Sequence, residues 1–261
     1  MSRLIDKFNE IAKAVPKPMG FRTETPVSTK AKMLLIAGVA QANNIERLAD
    51  YVTGADAVLI ARMSARARTS PQMDKLPDIP WGLRLEDIDS KQVTSILKAG
   101  CDFFVFTDSL ALALPENEKL GKVLQVETSL SEGLIKTLNG LPVDAVLVAG
   151  EPGEASVLTW HHLMLFQRFA DLLTKPLLTC LPAKVTAGEL QALWNTGVDG
   201  VVVDIETGEP EGSIKELRQM IDNLTFPTRE RQKVAALLPH LPAGVDTATD
   251  AEEEEEEEEE P

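Results

Sequence analysis

A short polar turn that ends in aspartate and leads straight into an apolar run occurs four times along this chain. The four aspartates are Asp56, Asp102, Asp144 and Asp199. Because the runs that follow show no polar alternation, they predict strands that are buried on both faces. In three copies a glycine lies two residues before the aspartate, which predicts a helix ending there in the left-handed backbone that glycine adopts easily: these are Gly54, Gly100 and Gly197.

Four further apolar runs alternate with these turns, at residues 33–39, 81–85, 123–126 and 177–181. Together they make eight predicted strands, and a helix-length stretch follows most of them. This rhythm predicts a (β/α)8 TIM barrel, an α/β fold, built from modules of two strands. The predicted divisions are an amino-terminal helix in 1–18, the barrel in 30–226, a carboxyl-terminal helix and extension in 227–247, with a helix over 229–238, and a disordered acidic tail in 248–261.

Composition limits the partners that this chain can have. The 261 residues carry a net charge of −15, of which the nine glutamates at 252–260 supply nine units, leaving −6 for the rest. That balance predicts no nucleic-acid binding, and no apolar run approaches the roughly 20 residues that cross a bilayer. The glutamate run repels itself and offers nothing to pack, so it is either a solubilising tail or a contact for a basic partner.

The first residues place Leu4, Phe8, Ile11 and Val15 on one helical face. Such a helix either caps the bottom of the barrel or packs at a subunit contact, which leaves a homo-oligomer open. No secretory-signal pattern is present, and both cysteines fall in or at the end of predicted buried strands. These features predict a cytoplasmic protein with reduced thiols.

Barrel enzymes place their sites at the carboxyl ends of the strands, so polar residues there are the candidates. Because side chains alternate along a strand, Gln125 and Glu127 are predicted to share a face. Arginines and carboxylates at one mouth would suit a divalent cation and a small anionic, carboxylate-bearing substrate, or would form ion pairs with one another. The candidates are Arg62, Arg84, Gln125, Glu127, Glu151, Glu154 and Asp204.

Several other barrel chemistries are disfavoured. The sixth strand offers no lysine for a Schiff base, and the turns after the seventh and eighth strands lack the glycine-rich pattern of a phosphate site. His161 and His162 are adjacent, so on a helix they point to different sides and cannot share a metal.

Three stretches resemble one enzyme family. They are Leu83-Arg84-Leu85-Glu86-Asp87, Leu124-Gln125-Val126-Glu127-Thr128 and the strand at 143–148. This part of the chain resembles the metal-dependent pyruvate-type aldolases and lyases related to dihydroxyheptenedioate aldolase and the citrate lyase beta subunit. The resemblance implies that Glu127 binds Mg²⁺ or Mn²⁺, that Gln125 lies beside a bound oxoacid, and that Arg84 binds its carboxylate. The first two strands show no resemblance, and Arg62 is a second candidate for the carboxylate because it ends the second strand.

The chain also departs from that family. The family's Gly-Pro-x-Asp-Leu turn, whose aspartate completes the metal site, is replaced at 150–156, so Glu151, Glu154 or Asp204 would have to serve. The family's histidine base has no counterpart. Two hypotheses therefore stand: a metal-dependent carbon–carbon lyase acting on a small oxoacid, or a catalytically degenerate barrel that serves as a scaffold or binds a partner.

Overall fold

The computed structural model describes residues 2–12, 33–41, 49, 51–62, 78–85, 90–110, 119–149, 157–181, 184–205 and 213–224. Eight parallel strands form a closed barrel in which each strand pairs with the next and the last pairs with the first. This confirms the predicted (β/α)8 fold. The strands are β1 Leu34–Gln41, β2 Ala57–Arg62, β3 Trp81–Leu85, β4 Phe103–Thr107, β5 Gly121–Glu127, β6 Ala145–Ala149, β7 Leu177–Leu181 and β8 Gly200–Ile205.

Helices surround the strands close to their predicted places. The helix that follows β6 begins at Trp160, because Thr159 has extended backbone and its hydroxyl accepts the N–H of His162. The predicted helix at 229–238 and the acidic tail lie outside the described residues. The helices are α1 Arg3–Ala12, α2 Ser90–Lys98, α3 Glu132–Thr137 with a 3₁₀ turn at Leu138–Gly140, α4 Trp160–Leu172, α5 Ala187–Asn195 and α6 Ser213–Asn223.

The four aspartate turns fasten the amino end of the barrel. The three glycines have φ angles of 97°, 87° and 105°, which confirms the left-handed backbone predicted for them. Asp56 N–H donates to the carbonyl of Leu35 at 2.8 Å, and its carboxylate accepts the Leu35 N–H at 2.9 Å. Asp144 makes the same pair of bonds with Lys122, and Asp199 makes them with Leu177. Each of these three turns therefore ties its own strand to the preceding one.

The fourth copy is different because it holds α1. The Asp102 carboxylate accepts the N–H groups of Arg3 and Leu4 at 2.8 and 3.0 Å and the Ser2 hydroxyl at 2.6 Å. These N–H groups have no partner within the helix, so the carboxylate satisfies them. Gly121 makes room for this contact, since a Cβ there would lie 2.7 Å from the Ser2 hydroxyl oxygen.

Helix α1 closes the amino end of the barrel through its apolar face. Leu4, Ile5, Phe8 and Ile11 are buried, and the helix contacts β5. The amino-terminal helix thus lies under the barrel as predicted. Among the described helices, none is long and apolar enough to cross a membrane.

Candidate functional site

Strand register shows which side chains share one face of the sheet. Leu59 pairs with Gly82 on one side and with Gly38 on the other, and Gly38 pairs in turn with Asp204. Arg84 lies two residues after Gly82 and therefore has the same phase. Arg84 and Asp204 consequently face the same side.

That side is the barrel interior. The guanidinium of Arg84 on β3 lies close enough to the thiol of Cys180 on β7 to lower its pKa, and these strands lie opposite each other in the closed barrel. Two opposite strands can exchange a side-chain contact only across the axis. The Arg84 side chain therefore crosses the interior near the carboxyl end of β3.

The thiol of Cys180 stays protonated at neutral pH. Its pKa is raised to about 11, chiefly by burial and next by the negative charge of Asp204, while the Arg84 guanidinium opposes both effects. Arg84 therefore faces a neutral group there. Within the described part of the chain, no ion pair joins Arg84 to a carboxylate.

Asp204 is exposed at the end of β8, and Gly38 on β1 makes room for it. A Cβ placed at Gly38 would overlap the Oδ1 atom of Asp204. Sequence reasoning missed Gly38, although a glycine inside an apolar strand often marks a close approach of this kind.

Gln125 and Glu127 follow each other on the same face of β5. Gln125 pairs in register with Thr107, whose hydroxyl is 2.7 Å from that of Ser109. Glu127 is exposed and accepts the Ser129 hydroxyl at 3.2 Å. The Gln125 Oε1 atom is buried without a hydrogen-bond partner, and so is the Nε atom of Arg84. Such orphaned groups are expensive in a folded protein unless a ligand satisfies them.

The remaining candidates are not brought into this cluster by the described residues. Arg62 pairs in register with Gln41 and has the phase of Val58, which pairs with Trp81. Arg62 and Arg84 thus hold opposite phases of the sheet, and the side chain of Arg62 lies outside the described part. Glu151 and Glu154 also fall in an undescribed segment, so their roles stay predictions.

The described residues do not form a metal site on their own. No group of three or more histidine, cysteine, aspartate or glutamate side chains in the described ranges could hold a metal ion. Glu127 and Asp204 lie on β5 and β8, three strands apart. A metal at Glu127 would therefore need further ligands, for which Glu151, Glu154 and Asp204 stay the predicted candidates.

Comparisons with known proteins support the fold and go no further. No family model matches the chain, and no curated protein matches it. A solved protein from Aquifex aeolicus VF5 is 12% identical with a TM-score of 0.54, covering 84% of this chain and 96% of that one. The tryptophan synthase alpha-subunit from Pyrococcus furiosus is also 12% identical with a TM-score of 0.54, covering 73% and 96%. At this identity the likeness shows a TIM barrel, and the resemblance to the aldolase and citrate lyase family is not confirmed.

Proposed function

We propose that this chain is a lyase-type enzyme that binds a small carboxylate-bearing molecule at the carboxyl-terminal mouth of its barrel. The observation that carries the proposal is Arg84, a guanidinium group inside the mouth that has a neutral thiol as its neighbour. Barrels place their chemistry at this end.

The charge of Arg84 supports an anionic ligand. A guanidinium group stays protonated, and a partly buried cation is costly unless an anion pairs with it. No described carboxylate pairs with Arg84, so the described residues alone do not supply the arginine–carboxylate pairs of the scaffold hypothesis. A ligand carboxylate would fill the role, accepting the orphaned Nε–H.

The other polar groups suit the chemistry of a carbon–carbon lyase. Breaking a bond beside a carbonyl leaves an enolate, which nearby positive charge stabilises. Arg84 supplies that charge and orients the substrate. Asp204 and Glu127, both exposed at the mouth, are carboxylates that can accept or return a proton.

Ligand binding tests the proposal directly. Pyruvate and oxaloacetate, each with and without Mg²⁺ or Mn²⁺, should raise the melting temperature of the wild-type chain. Arg84→Met should abolish that shift. Lys136→Met removes one positive charge from an exposed position on α3 and should leave the shift intact. No shift with any probe would favour the scaffold hypothesis, and an equal shift in Arg84→Met would show that Arg84 does not bind the ligand.

The metal prediction is tested separately. If Glu127 binds Mg²⁺ or Mn²⁺, Glu127→Gln should remove the binding heat seen by titration calorimetry. Glu216→Gln, an exposed position on α6, serves as the control. If the wild-type chain binds neither Mg²⁺ nor Mn²⁺, with or without an oxoacid, the metal prediction is wrong. The proposed role of Arg84 does not depend on that result.

A further inference from the structure

A groove of about 550 Å³ runs along the outer surface of α4. Trp160, Met164 and Asp171 line it along α4, with Glu132 of α3 at one side and Thr196, just after α5, at the other. The groove therefore spans three neighbouring helical segments.

The groove is open because α3 is much shorter than α4. Helix α3 has 6 residues and α4 has 13, so α3 leaves part of its neighbour uncovered. Trp160 is 83% exposed and Met164 is 70% exposed. In the described ranges, every exposed large hydrophobic side chain lies in this sector: Leu134, Leu141, Val157, Trp160 and Met164. An apolar patch of this kind usually marks a binding surface.

We propose that residues 229–238 of the same chain bind in this groove as an amphipathic helix. Val234, Leu237 and Leu238 are spaced to share one helical face, which needs an apolar surface to cover it. The groove offers that surface.

Charge complementarity favours the same occupant. Residues 229–238 contain Arg229, Arg231 and Lys233 against a single acid. The groove presents Glu132 and Asp171, and neither forms an ion pair with another described residue. Arg168 also lines the groove, so its carboxylates exceed its basic groups by one. Basic side chains beside these carboxylates would orient the segment without entering the apolar part.

The chain is long enough to reach the groove. Helix α6 ends at Asn223 and packs against α5, which packs against α4, so the groove lies about 20 Å away at two interhelical spacings. The four residues 225–228 span up to about 14 Å when extended, and a ten-residue helix adds about 15 Å. Asp171 lies near the end of α4, at the same end of the barrel where α6 stops.

Tryptophan fluorescence of the full chain tests the docking. Trp81 and Trp194 are buried, so acrylamide quenching reports mainly on Trp160, as a Trp160→Phe background would verify. Leu237→Asp should expose Trp160, increasing quenching and shifting its emission to the red. Ala236→Asp makes the same charge change on the opposite face of the predicted helix and should leave both signals as in wild type. Equal behaviour of the two variants would overturn the proposal.

A designed disulfide distinguishes this occupant from a second copy of the chain. In Met164→Cys/Leu237→Cys, mild oxidation should give a cross-link within one chain, while Met164→Cys/Ala236→Cys should cross-link far more slowly. Cys101 and Cys180 should not interfere, because burial raises the pKa of both thiols. If the cross-links form only between chains, the groove is a dimer contact and the proposal is wrong. The absence of any cross-link would also overturn the proposal.

Discussion

The two ends of this barrel use the same residue types in opposite ways. At the amino end the turn aspartates accept backbone N–H groups, and α1 covers the opening. At the carboxyl end Asp204 and Glu127 are exposed, and polar atoms of Arg84 and Gln125 lack partners among the described residues. One end satisfies its polar groups within the protein, whereas the other leaves several of them exposed or without a partner among the described residues.

Strand β8 shows the contrast over five positions. Asp199 precedes the strand, is buried, and accepts the Leu177 N–H at 2.8 Å. Asp204 lies near the other end of the same strand, is exposed, and has no hydrogen bond with another described residue. The position in the barrel, rather than the residue type, decides which aspartate stabilises the fold.

The largest stability effect should come from Asp199→Ala. Its loss leaves the buried N–H of Leu177 without a partner, which should lower the free energy of unfolding by about 2–3 kcal/mol. Asp222→Ala is the control, because it removes an exposed ion pair with Arg218 that is worth about 0.3–0.5 kcal/mol. Urea denaturation measures both, and an equal loss in the two variants would contradict the assigned role of Asp199.

Asp102→Ala should release α1 while the barrel stays closed. Losing a carboxylate that caps the first turn of a helix typically costs about 1–2 kcal/mol. Hydrogen exchange in residues 3–12 should accelerate in this variant. In Asp144→Ala, whose carboxylate accepts a strand N–H instead, α1 should keep the protection of wild type.

Gly38→Ala should disturb the mouth because the new methyl group would overlap Asp204. Forcing such a contact costs about 1–3 kcal/mol. Gly133→Ala on α3 is the matched control, since nothing lies within 4 Å of its added Cβ, and this change should stabilise the protein slightly. Equal melting temperatures for the two variants would show that Asp204 moves aside freely.

Removing the charges around Cys180 should have the smallest effect on the free energy of unfolding. It should instead shift the pKa of the Cys180 thiol. Asp204→Asn removes a charge that raises the pKa of the thiol, so the pKa should fall below about 11. Arg84→Met removes a charge that lowers it, so the pKa should rise. Alkylation rates measured against pH should shift in opposite directions in the two variants.

The same thiol adds a pH dependence to stability. Its pKa is raised from 9.0 to about 11 in the folded protein. Below pH 9 the thiol is protonated in both the folded and the unfolded protein, and its contribution to stability is fully present. As the pH rises from 9 to about 11, the thiol ionises first in the unfolded protein, so this contribution to the free energy of unfolding is lost. Cys180→Ala should flatten this part of the stability profile.

The barrel could be predicted from the sequence because the residues that indicate each strand lie close together along the chain. The glycine and aspartate of each turn, and the uniformly apolar run after it, lie within a few residues of one another. The mouth depends on barrel closure, which brings β3 and β7 face to face. The contact of Arg84 with Cys180, and the room that Gly38 leaves for Asp204, therefore could not be predicted from either strand alone.

The phases of the strands set another limit. Sequence analysis predicts that Arg62 and Arg84 both lie at the mouth because both lie at strand ends, but strand register places them in opposite phases. The open groove on α4 was also beyond prediction, because it results from the relative lengths of two helices.

The docking of α1 on Asp102 has a consequence for the order of synthesis. The two partners are separated by 99 residues, and the contact also needs the space beside Gly121 in β5. A growing chain completes α1 first but cannot seat it until more than a third of the polypeptide has left the ribosome. During that interval the apolar face of α1 is exposed to other proteins, so chaperones that bind nascent chains would meet this helix before the barrel does.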